Sequence, residues 1–262
     1  MTAVRHGMKA PTERFSDRVA DYVKYRPGYP AEALDLLSRE CGLGPALTVA
    51  DVGAGTGIFS RLLLQRGARV YAVEPNAPMR EAAERLLANQ PGFVSIAGSA
   101  EATGLPDASV DMITAAQAFH WFDRVKARQE FLRILKPGGW LVLVWNEREV
   151  DTTPFLQAYE QLLKDYAPEY GVVDHRNIRP EHIAEIFRPA AMRMRTFRYH
   201  QRFDYQGLQG RLLSSSYAPV PGHPNHAPML RKLRELFERH QQAGHVDWYY
   251  QTRLFYGRLR PA

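Results

Sequence analysis

The stretch DVGAGTG, Asp51 to Gly57, decides the fold of this 262-residue chain. It follows an apolar run, residues 47–50, that predicts a buried strand, and an apolar helical pattern begins at Ile58. Glycines adopt positive φ angles and lack the Cβ atom that would keep a ligand away from the backbone. A strand, a glycine turn and a helix in this order therefore predict a site that a nucleotide-like ligand can approach closely.

The spacing of the glycines narrows the class of ligand. Dinucleotide-binding loops carry the pattern G-x-G-x-x-G, whose third glycine packs the helix on the strand. Here the glycines fall at positions 53, 55 and 57, and position 58 is isoleucine. This departure disfavours a nicotinamide-dependent dehydrogenase.

The elements around the turn alternate between strands and helices. We predict strands over residues 49–52, 70–74, 93–97, 110–116 and 140–145, and helices over 31–41, 78–88 and 124–135. Strands separated by helices indicate right-handed βαβ units and a doubly wound parallel sheet. Farther along we predict helices over 155–166, 180–187 and 229–242, a proline-marked loop over 219–228, and strands over 192–203 and 247–260.

The composition limits the class of protein. Hydrophobic residues make up 45% of the chain and charged residues 24%, which is ordinary for one globular α/β domain. A single cysteine, Cys41, rules out an internal disulfide framework and a cysteine-rich zinc site, and no metal site is expected. No apolar run approaches the roughly 18 residues of a membrane span, and no signal peptide is recognised, so a cytoplasmic location is expected.

The positive charge is concentrated in the last third of the chain. From Arg188 onward there are 13 Lys and Arg against 4 Asp and Glu, whereas the rest has 21 against 24. A solvated basic face explains this pattern as well as an acidic small-molecule substrate does, because arginine binds carboxylates in a bidentate fork. Nucleic acid is the third alternative, and the absence of compact Lys/Arg runs disfavours it.

Two further segments carry candidate site residues near predicted strand ends. Glu74 ends the second strand about 20 residues after the glycine turn, where a carboxylate can accept both hydroxyls of a ribose. The segment QAFHWFD, residues 117–123, follows the fourth strand. There His120 is either a general base or a positioning group, Gln117 is the second candidate catalytic residue, and His120 and Trp121 are candidate substrate contacts.

The N-terminal segment RFSDRVADYVKYRPGYP, residues 14–30, supplies aromatic rings and an arginine ahead of the first helix. We expect a strap or lid whose candidate substrate contacts are Tyr22, Arg26 and Tyr29. Tyr217 is a further candidate, in a segment that we expect to cap the pocket (about 206–243). The expected division is a strap over 1–30, a ligand-binding core over 31–150 and a C-terminal part over 151–262, within one structural domain.

Five segments together (DVGAGTG, VYAVEPNAPMR, GSAEATGLPD, QAFHWF and LKPGGWLVLVWNER) resemble the class I S-adenosylmethionine (AdoMet)-dependent methyltransferases. The RPGYP and HW motifs resemble its methyltransferase type 11 branch, which includes the trans-aconitate methyltransferases. The resemblance implies a Rossmann-like seven-stranded sheet with an antiparallel last strand and a helical cap between the last two strands. The cofactor-binding residues are then expected to be Asp51, Gly53, Gly55, Thr56, Gly57, Glu74, Pro75, Met79, Ser99, Ala100, Glu101 and Gln117.

Within that family, Asp51, Gly53 and Gly55 would hold the methionine end of AdoMet, and Gln117 would lie beside the reactive end. The chain lacks the N/D-P-P-Y/F motif of the base amino-methyltransferases and a cysteine placed for pyrimidine methylation, which argues against nucleic-acid bases as acceptors. The expected activity is transfer of a methyl group to an oxygen of a small molecule, with a carboxylate as one candidate. An RNA or protein methyltransferase and a non-catalytic AdoMet-binding protein remain alternatives, and the expected state is a monomer or homodimer.

Overall fold

The computed structural model describes residues 25–173 and 180–259. Most of the predicted N-terminal strap, including Tyr22, lies outside these ranges. Among the described helices, none is long and apolar enough to cross a membrane.

A seven-stranded sheet forms the centre of the molecule, in the order β3-β2-β1-β4-β5-β7-β6. The strands are β1 Thr48–Val52, β2 Arg69–Val73, β3 Phe93–Ile96, β4 Val110–Ala116, β5 Leu135–Arg148, β6 Met192–Phe203 and β7 Val246–Arg258. Strands β1 to β5 pair in parallel, and β7 runs antiparallel to both of its neighbours, β5 and β6. The predicted Rossmann-like fold with an antiparallel last strand is confirmed.

Helices cover both faces of this sheet. They are α1 Ala31–Cys41, α2 Ile58–Gln65, α3 Ala77–Leu87, α4 Arg124–Ile134, α5 Pro154–Tyr166, α6 Tyr170–Val173, α7 Pro180–Phe187, α8 Tyr205–Leu213 and α9 His226–His240. Side-chain caps begin several of them, because an oxygen just before the helix can accept a free N–H of the first turn. Asn76 caps α3, Asp123 caps α4 and Thr153 caps α5.

Alternate residues of β5 enter two different hydrophobic clusters. Leu141 and Leu143 pack with α4 and α7, whereas Val142 and Val144 pack with α1 and α2 on the other face. Successive side chains of a strand point to opposite faces, so a strand covered on both sides is apolar at every position. This covering explains the continuous apolar run that marks the strand in the sequence.

Strand β5 is longer than the predicted range 140–145. Its carboxyl end pairs with β7 as far as Arg148 and Tyr250, and its amino end begins at Leu135, which pairs with Val110. The antiparallel partner comes from a segment about 100 residues away, so the local apolar pattern does not reveal the extension. The last residue of β4, Ala116, pairs with Val144 of β5. As a result, β5 and its partner β7 extend past the end of β4.

The expected helical insertion between the last two strands is present as α8 and α9. Helix α9 begins at His226, earlier than predicted, since Pro228 is accommodated in its first turn. The two helices pack with α5 and the ends of β6 and β7 around a third hydrophobic cluster that includes Tyr159 and Trp248. The insertion therefore builds a smaller core of its own beside the carboxyl end of the sheet. We call this third hydrophobic cluster the second core, because the first two clusters cover the two faces of the sheet.

Candidate active site

A cleft lies at the carboxyl ends of β1, β2 and β4, where ligands bind in open α/β sheets. It encloses about 1150 Å³, including the part open to solvent. A concave site at the strand ends of an α/β sheet is a usual place for a small ligand to bind.

The three glycines of the turn after β1 have different roles. All have positive φ angles: +70° at Gly53, +58° at Gly55 and +80° at Gly57. A Cβ on Gly53 would lie 2.5 Å from the Cβ of Ala118, and one on Gly57 would lie 2.7 Å from Leu87 on α3. A Cβ on Gly55 would meet no atom closer than 3.9 Å. Gly53 and Gly57 are thus required by the packing of the protein, whereas Gly55 leaves space within the cleft.

Glu74, directly after β2, presents a fixed carboxylate to the cleft. Its Oε2 accepts the amide of Gly55 at 2.8 Å, and its Oε1 accepts the amide of Asn76 at 2.9 Å. Burial raises the pKa of Glu74, and these two amides oppose that effect. Each oxygen of a carboxylate has two lone pairs, so both oxygens keep one acceptor position for a ligand hydroxyl.

Asp51, the residue before the last of β1, carries a carboxylate that is almost completely buried, at 1% exposure. Ser60 donates to its Oδ2 at 2.6 Å and Thr114 to its Oδ1 at 2.7 Å. Burial raises the pKa of Asp51 to about 6, and the two hydroxyls lower it again in part. Asp51 lines the cleft, so a cationic ligand group would stabilise its ionised form.

The far wall of the cleft comes from the segment after β3. Ser99, Ala100 and Glu101 line it, with Met79 of α3 and the ring of Phe122. The carboxylate of Glu101 accepts the amide of Asp123 at 2.9 Å. This bond ties the wall to the start of α4, so Glu101 has a structural partner as well as a position in the cleft.

Gln117 follows β4 in a strained conformation, with a φ of +58° that is uncommon for a residue with a side chain. Its amide donates to the carbonyl of Val144, and its side-chain Nε2 donates to the carbonyl of Asn146 at 3.0 Å. The first bond fixes the backbone of Gln117 and the second fixes its side chain. Gln117 is therefore held between β4 and β5 at the edge of the cleft. Backbone strain of this kind is concentrated at functional sites.

The described end of the strap, residues 25–30, closes one side of the cleft. Arg26 and Tyr29 line it, and the ring of Tyr29 packs edge-on against Phe59 of α2 at 4.9 Å. Arg26 donates to the carbonyl of Ser214, just after α8, at 2.8 Å, and Asn146 of β5 donates to the carbonyl of Gly28 at 2.8 Å. The strap is thereby attached both to the sheet and to the helical insertion.

The structure brings most of the expected residues together. Every expected cofactor-binding residue except Gly57 lines the cleft, as do the candidate substrate contacts Arg26, Tyr29 and Trp121. His120, expected as a general base or a positioning group, lies in a short 3₁₀ turn and is not among the residues that line the cleft. Tyr217 does not line it either: its ring contacts Tyr170 at 5.0 Å, within the second core.

Sequence reasoning did not identify several residues of the wall. They are Pro27, Ala54, Ile58, Phe59, Ala116, Ala118 and Phe122. Ile58 and Phe59 are the first residues of α2, and the helical pattern assigns such residues to the core. Only their position directly after the glycine turn could have indicated that they also face the ligand. Among the described side chains, no group of three or more His, Cys, Asp and Glu could hold a metal ion.

Comparison with known proteins agrees with this geometry. Residues 50–143 match the family model described as "Methyltransferase domain". A structure from Anaeromyxobacter dehalogenans, described as a type II methyltransferase, superimposes with a TM-score of 0.65 at 25% identity, over 91% of this chain and all of that one. Residues 50–143 are thus similar to a methyltransferase domain, and the fold is similar to that of a methyltransferase structure.

Curated relatives match a little over half of the chain. An uncharacterized methyltransferase of Mycobacterium tuberculosis is 42% identical over 149 residues, which is 57% of each chain. An uncharacterized methyltransferase-like protein of Schizosaccharomyces pombe is 37% identical over 153 residues, or 58% of each. The chain thus spans less than two thirds of the length of these relatives.

Proposed function

We propose that the protein transfers a methyl group from AdoMet to an oxygen of a small molecule. The observation that carries this proposal is the carboxylate of Glu74, held by the amides of Gly55 and Asn76 at the edge of the cleft. Its remaining acceptor positions suit a ribose diol, and the side-chain-free face of Gly55 suits close approach of the nucleoside. Asp51 offers a carboxylate to the cationic amino-acid end.

The residues of the cleft would act mainly by alignment. In the reaction, an acceptor oxygen forms a bond to the methyl carbon of AdoMet, the bond from that carbon to the sulfonium sulfur breaks, and the sulfur keeps its electron pair to give S-adenosylhomocysteine. Holding acceptor and donor in line can supply much of the rate gain. Gln117 and the strap would provide this alignment, since both adjoin the end of the cleft beside β4 and β5.

A carboxylate is the oxygen acceptor that fits the cleft best. It is already ionised at neutral pH, so it needs no base, and His120 does not line the cleft. A relative from Serratia marcescens described as a malonyl-[acyl-carrier protein] O-methyltransferase, 33% identical over 109 residues, supports an oxygen acceptor. That match covers 40% of this chain and 42% of the relative. The trans-aconitate branch stays a prediction.

Turnover with a panel of acceptors tests the proposal. The purified protein and AdoMet are incubated with small carboxylic acids, phenols and amines, and S-adenosylhomocysteine is quantified. We expect product only with acids, and with free acids rather than their methyl esters. Turnover of amines alone would contradict oxygen transfer. Binding of AdoMet without turnover of any acceptor would favour the non-catalytic alternative, and salt-sensitive binding of RNA would favour an RNA substrate.

The pH dependence of AdoMet binding should reflect Asp51. Its pKa is about 6 before the ligand binds, and the positive charge of AdoMet favours the ionised form, so binding lowers that pKa. AdoMet should therefore bind more weakly as the pH falls below 6, by up to about tenfold per pH unit. Calorimetry at pH 5, 6, 7 and 8 measures this trend.

Asp51→Asn is the matched control for this prediction. The amide keeps the size of the side chain and cannot ionise, so the variant should bind AdoMet more weakly at pH 8 and lose the dependence between pH 5 and 7. An equal affinity of the natural protein at pH 5 and pH 8 would show that Asp51 does not contact the cation.

A further inference from the structure

A second cluster of charged groups lies outside the cleft, where β5, β7 and α8 meet. Arg148 stands at the end of β5, and Arg211 stands on α8. The Cζ of Arg148 lies 5.7 Å from the ring centroid of Trp248, and the Cζ of Arg211 lies 5.6 Å from the same centroid. Two guanidinium groups therefore share one buried aromatic neighbour.

The charge of this cluster is unbalanced. Arg148 forms an ion pair with Glu160 of α5, and the hydroxyl of Tyr170 donates to the same carboxylate at 2.6 Å. Arg211 is only 7% exposed, and it pairs with no carboxylate within residues 25–173 and 180–259. Glu160 also lies 3.6 Å from Lys164, so among the described residues this one carboxylate leaves a net positive charge at the two buried guanidinium groups, which is costly unless an anion balances it.

Several N–H donors of the cluster also lack acceptors. Arg211 donates from Nε to Tyr250 at 3.3 Å and from Nη1 to Ser215 at 3.0 Å, and its Nη2 donates to no side chain or carbonyl in the described part of the chain. The Nη1 of Arg148 and the Nε1 of Trp248 are sealed from solvent without an acceptor. Cation–π contacts use the flat face of a guanidinium and leave its in-plane donors unpaired.

The cluster is connected to the cleft through β5. The backbone carbonyl of Asn146 accepts a hydrogen bond from the side-chain Nε2 of Gln117. Arg148 lies two residues farther along the strand. Residues two apart point to the same face, at about 3.3 Å per residue, so Arg148 stands about 7 Å beyond Asn146 on the same side. This distance is within the length of a small molecule that reaches from Gln117 toward the arginines.

The acidic neighbours of Arg148 in sequence do not neutralise the cluster. Glu147 and Glu149 point to the opposite face of β5, where they lie 3.0 Å from Arg253 and 3.8 Å from Arg198. The face of β5 that carries Arg148 is apolar at residues 142 and 144 and ends on this arginine.

We propose that Arg148 and Arg211 form an anion subsite beside the cleft. This subsite binds a carboxylate group of the methyl acceptor. A carboxylate would offset this positive charge and accept hydrogen bonds from the free guanidinium donors in a forked geometry. The role of this subsite in catalysis rests on the function proposed above, whereas its affinity for an anion does not.

The test measures binding of an acid without AdoMet. Succinate is titrated into the protein by calorimetry, with dimethyl succinate as the uncharged probe. Arg211→Met removes the unpaired cation, and Arg211→Lys keeps the charge without the fork, so that a result is obtained even where the methionine variant does not fold. Arg198→Met is the matched control, because this arginine of β6 is exposed on the opposite face.

We expect succinate to bind the natural protein and Arg198→Met alike, and to bind either Arg211 variant at least tenfold more weakly. Dimethyl succinate should not bind. Undiminished binding to a folded Arg211 variant, equal binding of the diester, or no binding to the natural protein would overturn the subsite. If the natural protein binds succinate as expected but does not bind AdoMet, the proposed function is overturned and the subsite is retained.

Discussion

Glu74→Gln should reduce the affinity for AdoMet by about 100-fold or more. The amide offers one acceptor oxygen instead of two, and its NH₂ group must face the amide of either Gly55 or Asn76, which now donate to the carboxylate. A hydrogen bond to a charged group contributes roughly 1.5–3 kcal/mol, and two such bonds to a ribose diol account for the size of the loss. Calorimetry with AdoMet measures it directly.

Glu81→Gln is the control for this variant. Glu81 belongs to α3, which follows Glu74 closely, and its side chain is exposed and outside the cleft. It should bind AdoMet like the natural protein. Melting temperatures of both variants establish that the fold is retained. An affinity of Glu74→Gln within threefold of the natural protein would exclude the proposed contact with the ribose.

Substitutions at Gly53 and Gly55 should separate stability from binding. In Gly53→Ala the new Cβ would lie 2.5 Å from the Cβ of Ala118 in a backbone region that disfavours side chains. Strain and overpacking together should destabilise the protein by roughly 3 kcal/mol. For a chain of this size that loss lowers the melting temperature by about 6–12 °C.

In Gly55→Ala the new Cβ would meet no protein atom within 3.9 Å. The positive φ should cost about 1 kcal/mol, so the variant should fold, yet the methyl group projects into space that the ligand needs. We expect AdoMet to bind at least tenfold more weakly. Gly244→Ala is the control for backbone strain alone, since that glycine has a φ of +77° and nothing within 4 Å. A Gly55→Ala variant that binds AdoMet normally would contradict the proposed position of the ligand.

Local sequence patterns were sufficient to predict most of the fold and many of the residues that line the cleft. The glycine turn, Glu74 and Gln117 follow directly after β1, β2 and β4, and the carboxyl ends of parallel strands meet at one edge. Any residue placed directly after such a strand is therefore expected near the ligand. Eight of the other wall residues belong to those loops or to the helix starts beside them, namely Ile58, Phe59, Pro75, Asn76, Met79, Ala118, Trp121 and Phe122.

The acceptor side could not be predicted, because it depends on long-range pairing. Arg211 and Arg198 look alike in an arginine-rich stretch, yet one is buried on α8 and the other is exposed on the edge strand β6. The ring of Tyr217 packs against Tyr170, a contact that depends on the packing of α8 and α9 on α5. Periodicity within one segment carries no information about which distant segment covers it.

Calorimetric titration of AdoMet into the natural protein tests the central claim most directly. We expect heat of binding at a single site, competition by S-adenosylhomocysteine, and tighter binding at pH 8 than at pH 5. The absence of heat with either compound, in a protein whose melting curve shows that it is folded, would contradict the assignment of the cleft to AdoMet.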